Sequence, residues 1–272
     1  MLKLHSILMG AAIALIFVSE SAAQPRRGYD KVVELSPDEA AQMWGAFKNS
    51  SIAGDYAMSF TLAHSPRRGE DVLYEGEIFG ARRGEETLTR LRIRKSGGEK
   101  FSDFLISHSP SGGSVSKAEG GKFAAVPKSD WFKPLVDGLI YSPFDLMMPY
   151  KNWEWRYAGG GRIGQAVYFF DLYPPADMAE QIGKVRMAIT REFNSPAQTE
   201  IFSPSGSLLK TVSLGSVKKI DGLWIVRETS ARDDATRDKD KLVFRAAAVR
   251  TVLDSKIFGD PSAPALPELK KL

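Results

Sequence analysis

The chain has 272 residues, of which 43% are hydrophobic and 26% are charged, and this composition is typical of a globular protein. It excludes a disordered chain, a collagen-like repeat and a polytopic membrane protein. The absence of cysteine excludes disulfides, thiolate metal sites and cysteine nucleophiles. The net charge of +4 is mild and does not indicate nucleic acid as a partner.

Residues 1–23 have the pattern of a secretory signal peptide. Lys3 precedes an apolar run from Ile7 to Val18, and Ser21-Ala22-Ala23 supplies the small residues that a signal peptidase reads. The run is too short to span a bilayer, which takes about 20 residues. We therefore predict cleavage before Gln24 and export by a Sec-type route to the periplasm, with an uncleaved membrane anchor as the alternative.

An amphipathic helix is predicted to follow a polar linker. Ser36 suits the capping position, Pro37 the first helical position, and Glu39 completes a capping box. The apolar residues that follow recur at helical spacing and form one stripe: Ala40, Met43, Trp44 and Phe47. This stripe predicts that the helix packs on a larger element.

From Gly54 onward the apolar period changes to that of β-strands. Alternating segments are separated by Gly and Pro turns, which predicts about a dozen antiparallel strands without interleaved long helices. We predict one mainly β domain over residues 24–272, preceded by the signal peptide. Its tail, residues 261–272, contains three prolines and is expected to be frayed.

Between Asp130 and Tyr150 the alternation fails. This segment combines three prolines with more apolar residues than a connecting loop needs. It favours short helical turns, and two interpretations remain open. The segment is either a mobile cover over a cavity or a structured insertion that plugs the core.

The sequence offers little catalytic chemistry, so we predict no enzyme, no metal and no cofactor. His64 and His108 each stand at a strand end beside a Ser-Pro turn, where exposed bystanders are common. Residues 159–164 match G-x-G-x-x-G, but strand-like residues on both sides indicate a hairpin rather than a dinucleotide site. The acidic run 232–241 lacks the order of a calcium loop and predicts a solvated hairpin tip.

A large antiparallel sheet with one apolar face has to bury that face. One helix and one lid would cover it incompletely and leave an apolar cavity, whereas the alternative is a solid core. Such a cavity suits acyl chains, since each buried CH₂ contributes about 0.8 kcal/mol. The residues predicted to form cavity and lid are Tyr56, Met58, Phe60, Leu62, Tyr74, Ile78, Leu91, Leu139, Phe144, Leu146, Met147, Met148, Trp153 and Trp155.

Three arginines share one face of a predicted strand. Arg90, Arg92 and Arg94 are candidates for contact with anionic lipid headgroups or an acidic partner. The alternative is an outward sheet face whose charges block edge pairing.

The order of these elements and several short motifs resemble the LolA-like outer-membrane lipoprotein-sorting proteins. The likeness covers most of residues 36–250, and its motifs are DYAMSFT at 55–61, YEGEIF at 74–79, GLIYSPFDL at 138–146, YFFDLYP at 168–174 and DGLWIV at 221–226. The resemblance implies a half-open antiparallel β-barrel with an N-terminal helix, a short helical lid and an apolar cavity.

The same resemblance implies a function. Relatives carry lipoprotein acyl chains across the periplasm, so we expect a carrier of lipid or lipoprotein acyl chains that meets inner- or outer-membrane transport proteins. A lipid-sensing module that regulates a partner protein on the same fold is the alternative. The sorting carrier holds its lid with an arginine of an early strand, and Arg82, Arg90, Arg92 and Arg94 are all candidates for that role.

Overall fold

The computed structural model describes residues 32–50, 52, 54–263 and 266–272, so the predicted signal peptide lies outside the described residues. Helix α1 (Pro37–Lys48) begins with the predicted capping box. Glu39 N donates to Ser36 Oγ over 3.3 Å, and Ser36 N donates to the Glu39 carboxylate over 2.8 Å. Within the described part of the chain, no helix has both the length and the apolar character needed to cross a membrane.

Thirteen strands form one antiparallel sheet in the order β6-β5-β4-β3-β2-β1-β13-β12-β11-β10-β9-β8-β7, and a two-residue strand, β14, adds to β13. The strands are β1 (Asp55–Ser65), β2 (Val72–Arg83), β3 (Glu86–Lys95), β4 (Ser102–Ser109), β5 (Gly112–Glu119), β6 (Lys122–Ala125), β7 (Glu154–Ile163), β8 (Gln165–Tyr173), β9 (Lys184–Thr190), β10 (Pro196–Phe202), β11 (Leu208–Ile220), β12 (Leu223–Asp233), β13 (Lys239–Thr251) and β14 (Lys270–Lys271). Strands β6 and β7 are the two edges and the described sheet is not closed, which confirms the mainly β, half-open architecture.

The main hydrophobic core lies on the inner face of this sheet. It joins the inward side chains of the strands to α1, whose Trp44 ring lies 5.4 Å from the Phe170 ring and 6.0 Å from the Trp155 ring. The predicted packing of the helix stripe on a larger element is therefore confirmed. The strand alternation explains the separation of faces, because successive side chains point to opposite sides of a sheet.

Two glycines of β2 allow aromatic rings of β1 to lie across the inner face. Phe60 stands opposite Gly76 and Tyr56 stands opposite Gly80. A Cβ at Gly76 would lie 2.3 Å from Cζ of Phe60, and one at Gly80 would lie 2.0 Å from Cζ of Tyr56. Any side chain at these positions would displace the rings. The glycines therefore allow the rings to fill the core at β1 and β2.

The C-terminal strap, which comprises the described residues from 252 to 272, packs on the outer face. Its Leu253, Ile257 and Phe258 join Ala57 and Phe79 in a second cluster. Leu266 and Leu269 pack against the same cluster, while β14 pairs with β13 at Ala246 and Ala247. The expectation of a frayed tail at 261–272 is therefore wrong, because apolar and backbone contacts outweigh the effect of its prolines.

Arg90 connects the sheet to the strap. Its side chain is fully buried on β3 and forms an ion pair with Asp103 of β4. Its guanidinium also donates to the carbonyls of Ile257, Asp260 and Pro261, over 2.6, 2.8 and 2.8 Å. A buried cation needs such complete pairing, because an unpaired charge in the interior is very costly.

Candidate functional site

The connection between β6 and β7, residues 126–153, crosses the open side of the sheet. We call it the lid segment. It has to cross because β6 and β7 stand at opposite edges of the sheet. It contains helix α2 (Pro143–Met147) and two short 3₁₀ turns at Lys128–Asp130 and Pro149–Asn152. Its prolines and apolar residues thus form the predicted short helical turns.

Aromatic rings fix the interior of the lid segment. The Phe144 ring lies 4.4 Å from Phe132, 5.5 Å from Tyr150 and 6.0 Å from Trp153. Met148 follows helix α2 as its C-cap and has a left-handed backbone with φ of 50°. A left-handed residue other than glycine costs of the order of 1 kcal/mol, so the surrounding contacts hold Met148 in a strained turn.

A buried carboxylate on β13 fastens the middle of the lid segment. Asp240 Oδ2 accepts from the backbone amides of Ile140 and Tyr141 over 2.7 and 3.1 Å. Its other oxygen lies 2.8 Å from His64 Nδ1. Burial raises the pKa of the Asp240 carboxyl, and the three hydrogen bonds oppose part of that rise.

A lysine on β11 fastens the start of α2. Lys210 Nζ donates to Asp145 Oδ2 over 2.7 Å and to the carbonyl of Ile140 over 2.8 Å. The same Asp145 oxygen accepts from the backbone amide of Ser142, which begins the helix. A third contact joins Tyr141 and Thr229, whose hydroxyl oxygens are 2.6 Å apart. The lid segment is therefore held by polar contacts around an apolar interior.

A cavity of about 70 Å³ lies between the lid segment and strands β10 to β13. Its walls are mainly apolar, and they include Leu146, Met148, Val212, Leu214, Val226, Leu242 and Phe244. Polar groups at its border include Asp145, Thr199 and Thr229. Sites for drug-sized ligands span about 300–1,000 Å³, so an acyl chain fits here only if the lid segment moves.

All the residues predicted to form cavity and lid belong to one cluster. They are buried in the main core, except Trp155, which is partly buried against it. Only Leu146 and Met148 among them line the remaining cavity, because the inward residues of β1 to β3 pack against one another.

Sequence reasoning missed the opposite wall of the cavity. Val212, Leu214, Val226, Leu242 and Phe244 belong to strands that the period of two had predicted. The alternation of apolar and polar residues shows the apolar face of some of these strands. On β13, for example, the buried Leu242 and Phe244 lie between the exposed Lys241 and Arg245. The alternation does not tell which strands lie beneath the lid segment, so these residues could be recognised only in the fold.

The arginine stripe of β3 does not form one exposed surface. The buried Arg90 cannot contact a headgroup, which corrects that prediction. Arg92 and Arg94 are partly exposed and pair with Glu77 and Glu75 of β2, over 2.9 and 2.6 Å. Arg82 donates to the carbonyl of Gly84 over 3.0 Å. These four arginines thus have partners outside the lid segment, which is held instead by groups that include Asp240 and Lys210.

Both histidines are buried, so the prediction of exposed bystanders is wrong. His64 reaches Asp240, and the Nε2 of His108 lies 2.9 Å from Asn152 Nδ2. Burial lowers the pKa of His108 to about 4, and the charges of Lys151 and Lys48 act in the same direction. Tertiary partners far away in sequence cover both rings, and the local Ser-Pro turns gave no sign of this.

Lys151 is a buried ammonium at the end of the lid segment. Its Nζ lies 4.6 Å from the centre of the Phe47 ring on α1. Burial lowers its pKa to about 8. The packing of the lid segment therefore desolvates a charge that contacts an aromatic ring, and this costs stability at neutral pH.

Other motifs have structural positions. Gly164, with φ of 70°, forms the turn between β7 and β8, so the glycine motif lies in a hairpin as predicted. The acidic run forms the turn between β12 and β13, but Asp240 at its end is buried rather than solvated. Among the described residues, no group of three or more His, Asp or Glu side chains is placed to hold a metal ion.

Comparison with known structures defines the fold. A "putative outer membrane lipoprotein-sorting protein domain" from Vibrio parahaemolyticus matches with a TM-score of 0.66 and 13% identity, over 75% of this chain and 89% of that one. A DUF1329 family protein from Desulfovibrio piger matches with a TM-score of 0.69 and 12% identity, over 81% of this chain and 94% of that one. A LolA superfamily protein from Nitrosomonas europaea matches with a TM-score of 0.57 and 15% identity, over 75% of this chain and 90% of that one.

Sequence comparison adds less. A family model described as "Uncharacterized protein" matches residues 145–262. No curated protein sequence matches the chain. These structural matches share less than one sixth of their residues with this chain, so they show the fold alone. That fold is similar to those of the lipoprotein-sorting domain and the LolA superfamily protein, as the sequence motifs had indicated.

Proposed function

We propose that this protein carries acyl chains of lipids or lipoproteins in the space between the inner face of its sheet and the lid segment. The observation that carries the proposal is an apolar cavity that side chains leave unfilled. It lies beneath the lid segment, which hydrogen bonds from Asp240 and Lys210 hold in place. Apolar walls with few polar groups suit an acyl chain, whose binding free energy grows with each buried CH₂.

The likeness to lipoprotein-sorting domains supports the same proposal, as does the pattern of a signal peptide at residues 1–23. We place the carrier in the periplasm, where an acyl chain needs a protein to cross the aqueous space between two membranes. Inner- and outer-membrane transport proteins are the partners that would load and unload it.

Opening of the lid segment is the step that binding requires. Replacing Leu146 with Asp puts a carboxylate against the apolar cavity wall, and burial of an unpaired charge is costly. The open state is then favoured, and we expect retention of an acyl chain to fall at least tenfold. Phe144→Asp should act in the same way, since Phe144 is fully buried.

The test is displacement of a fluorescent fatty-acid probe, measured beside thermal melting. Phe170→Ala is the matched core variant, because Phe170 is fully buried on β8 away from the cavity and such a truncation costs about 3–5 kcal/mol. We expect the lid variants to lose the probe while melting closer to wild type than Phe170→Ala does. Lid variants that bind the probe as wild type does would show that the segment is a plug, and would contradict the proposal.

Mass spectrometry of the natively purified protein identifies the cargo directly. We expect a bound phospholipid, fatty acid or lipoprotein fragment. A protein that carries no lipid and does not bind the probe is not an acyl-chain carrier.

A further inference from the structure

A second apolar space adjoins the cavity beneath the lid segment. It is a groove of about 270 Å³, and its walls include Ile163, Phe193, Val217 and Trp224. Val217 is 41% exposed, so the groove presents apolar surface to solvent. A concave apolar groove of this kind is a candidate site for a ligand.

The groove and the cavity share two wall residues. Ala197 of β10 and Leu214 of β11 line both spaces. The two spaces are therefore neighbours that these two residues separate, and we call this place the junction.

The strand pairing explains why a junction exists at this place. Strands β10 and β11 pair from Phe202 and Leu208 to Gln198 and Ser213, and the pairing ends there. Immediately beyond, β10 has an irregularity against β9 between Pro196 and Gln198, and β11 has one against β12 between Leu214 and Ser216. Irregularities disrupt a ladder locally, so the pairing of β10 with β11 does not extend to Ala197 and Leu214.

We propose that the groove is the outer part of the acyl-chain site, and that a long chain passes between β10 and β11 with one part under the lid segment and the other in the groove. The inference rests on the proposed carrier function and defines its ligand as an unbranched chain longer than the lid cavity can hold. The cavity of about 70 Å³ accommodates only a short stretch of chain, whereas the groove adds an apolar space several times larger.

Chain length is the property that tests this arrangement. A short chain finds enough room beneath the lid segment once that segment has adjusted, but a long chain needs the groove. Octanoate, laurate and palmitate are the ligands, and displacement of the fluorescent fatty-acid probe reports their affinities. For wild type we expect affinity to rise from octanoate to palmitate, because each added CH₂ is buried.

Val217→Asp places a carboxylate in the groove wall without touching the core. We expect it to weaken palmitate binding about tenfold, which corresponds to about 1.4 kcal/mol, and to leave octanoate within twofold of wild type. Leu209→Asp is the matched control, since Leu209 lies on the same strand, is also 41% exposed and is not part of the groove wall. This control should bind both ligands as wild type does.

A second variant closes the junction. Ala197→Leu adds volume where the cavity and the groove meet, and we expect the same selective loss of palmitate. Thermal melting shows whether the variant is folded.

A direct reading comes from palmitate brominated at its methyl end, because bromine quenches nearby tryptophan fluorescence. Part of the quenching in wild type is due to bromine that lies near Trp224, and this part is lost in Trp224→Phe. We therefore expect clearly more quenching in wild type than in Trp224→Phe.

The outcomes separate the two proposals. If wild type binds none of the three fatty acids, the carrier function itself is wrong and the groove proposal falls with it. If wild type binds them and Leu146→Asp releases them, but Val217→Asp weakens palmitate and octanoate equally or neither of them, only the groove proposal is overturned. Equal quenching in wild type and Trp224→Phe would also overturn it.

Discussion

The two halves of the inner face are built from the same alternating strands but are filled differently. In the half formed by β1 to β4, glycines at 76 and 80 admit the rings of Phe60 and Tyr56. In the half formed by β10 to β13, the lid segment covers a cavity, and the pairing of β10 with β11 ends beside it. At β1 and β2 the rings fill the inner face, whereas the second half keeps an apolar space.

The outer face shows the same contrast. The C-terminal strap covers β1 to β4 and is fastened by the buried Arg90. At β10 and β11 the apolar groove stays open to solvent at Val217 and Trp224. The comparison indicates that the first half is a scaffold and that the second is where a ligand finds room. Three further experiments test this division, beginning with the largest expected effect.

Removal of the Arg90 fastening tests the scaffold half. Arg90→Met leaves Asp103 with only its longer contact to Arg92, at 3.7 Å, and removes the donor for three strap carbonyls. Breaking a buried ion pair from one side costs about 3–5 kcal/mol, so we expect a loss of that order in urea unfolding. Binding of the fatty-acid probe by the molecules that remain folded should not change.

Arg92→Met is the matched control for that experiment. Arg92 pairs with Glu77 while 19% exposed, and such a pair contributes less than about 1 kcal/mol. Comparable losses for the two variants would show that Arg90 is not the fastening of the strap. Loss of probe binding by folded Arg90→Met protein would instead break the division into scaffold and ligand halves.

Lys151 allows a test of the lid segment by pH. Its pKa is about 8 in the folded protein against 10.5 without burial, so the unfolded chain binds more protons between these values. Stability should therefore rise as pH increases from about 8 toward 10, where the buried lysine is neutral. Lys151→Met should remove this rise and stabilise the protein at neutral pH by about 1–3 kcal/mol.

Urea unfolding from pH 7 to pH 9.5 measures both effects. Lys133→Met is the control, because Lys133 lies in the same segment but is 69% exposed and should keep the wild-type pH profile. If Lys151→Met retains the rise above pH 8, another group is responsible for it. A gain in neutral-pH stability accompanied by slower probe uptake would sharpen the comparison, since it would show that Lys151 favours opening.

The contact between Tyr141 and Thr229 should give the smallest effect. Thr229→Val removes the partner of a buried hydroxyl while keeping the shape, and we expect a cost of about 1–2 kcal/mol. The double variant Tyr141→Phe/Thr229→Val should cost little more than either single change, because no hydroxyl is then left unpaired. Hydrogen exchange at Ile140 and Tyr141 should quicken in the single variants, and additive costs would show that the two hydroxyls are not coupled.

Local chemistry in the sequence determined much of the fold. The capping box of α1 and the strand alternation depend on neighbours within a few residues, so both could be predicted. The burial of the apolar residues of β1 to β3 and of the lid segment could also be predicted, because burial follows from hydrophobicity and face. Their role in lipid binding stays a prediction.

Only the tertiary structure decided which charges are buried and where space remains. Arg90 reaches carbonyls 167 and more residues away, and Asp240 holds amides 99 and 100 residues away. The alternation shows on which face a side chain lies but not which segment will cover it. For this reason the sequence predicted an exposed Arg90 and a solvated acidic run. The position of the cavity depends on the lid segment joining the two edges of the sheet, and this does not follow from the local sequence.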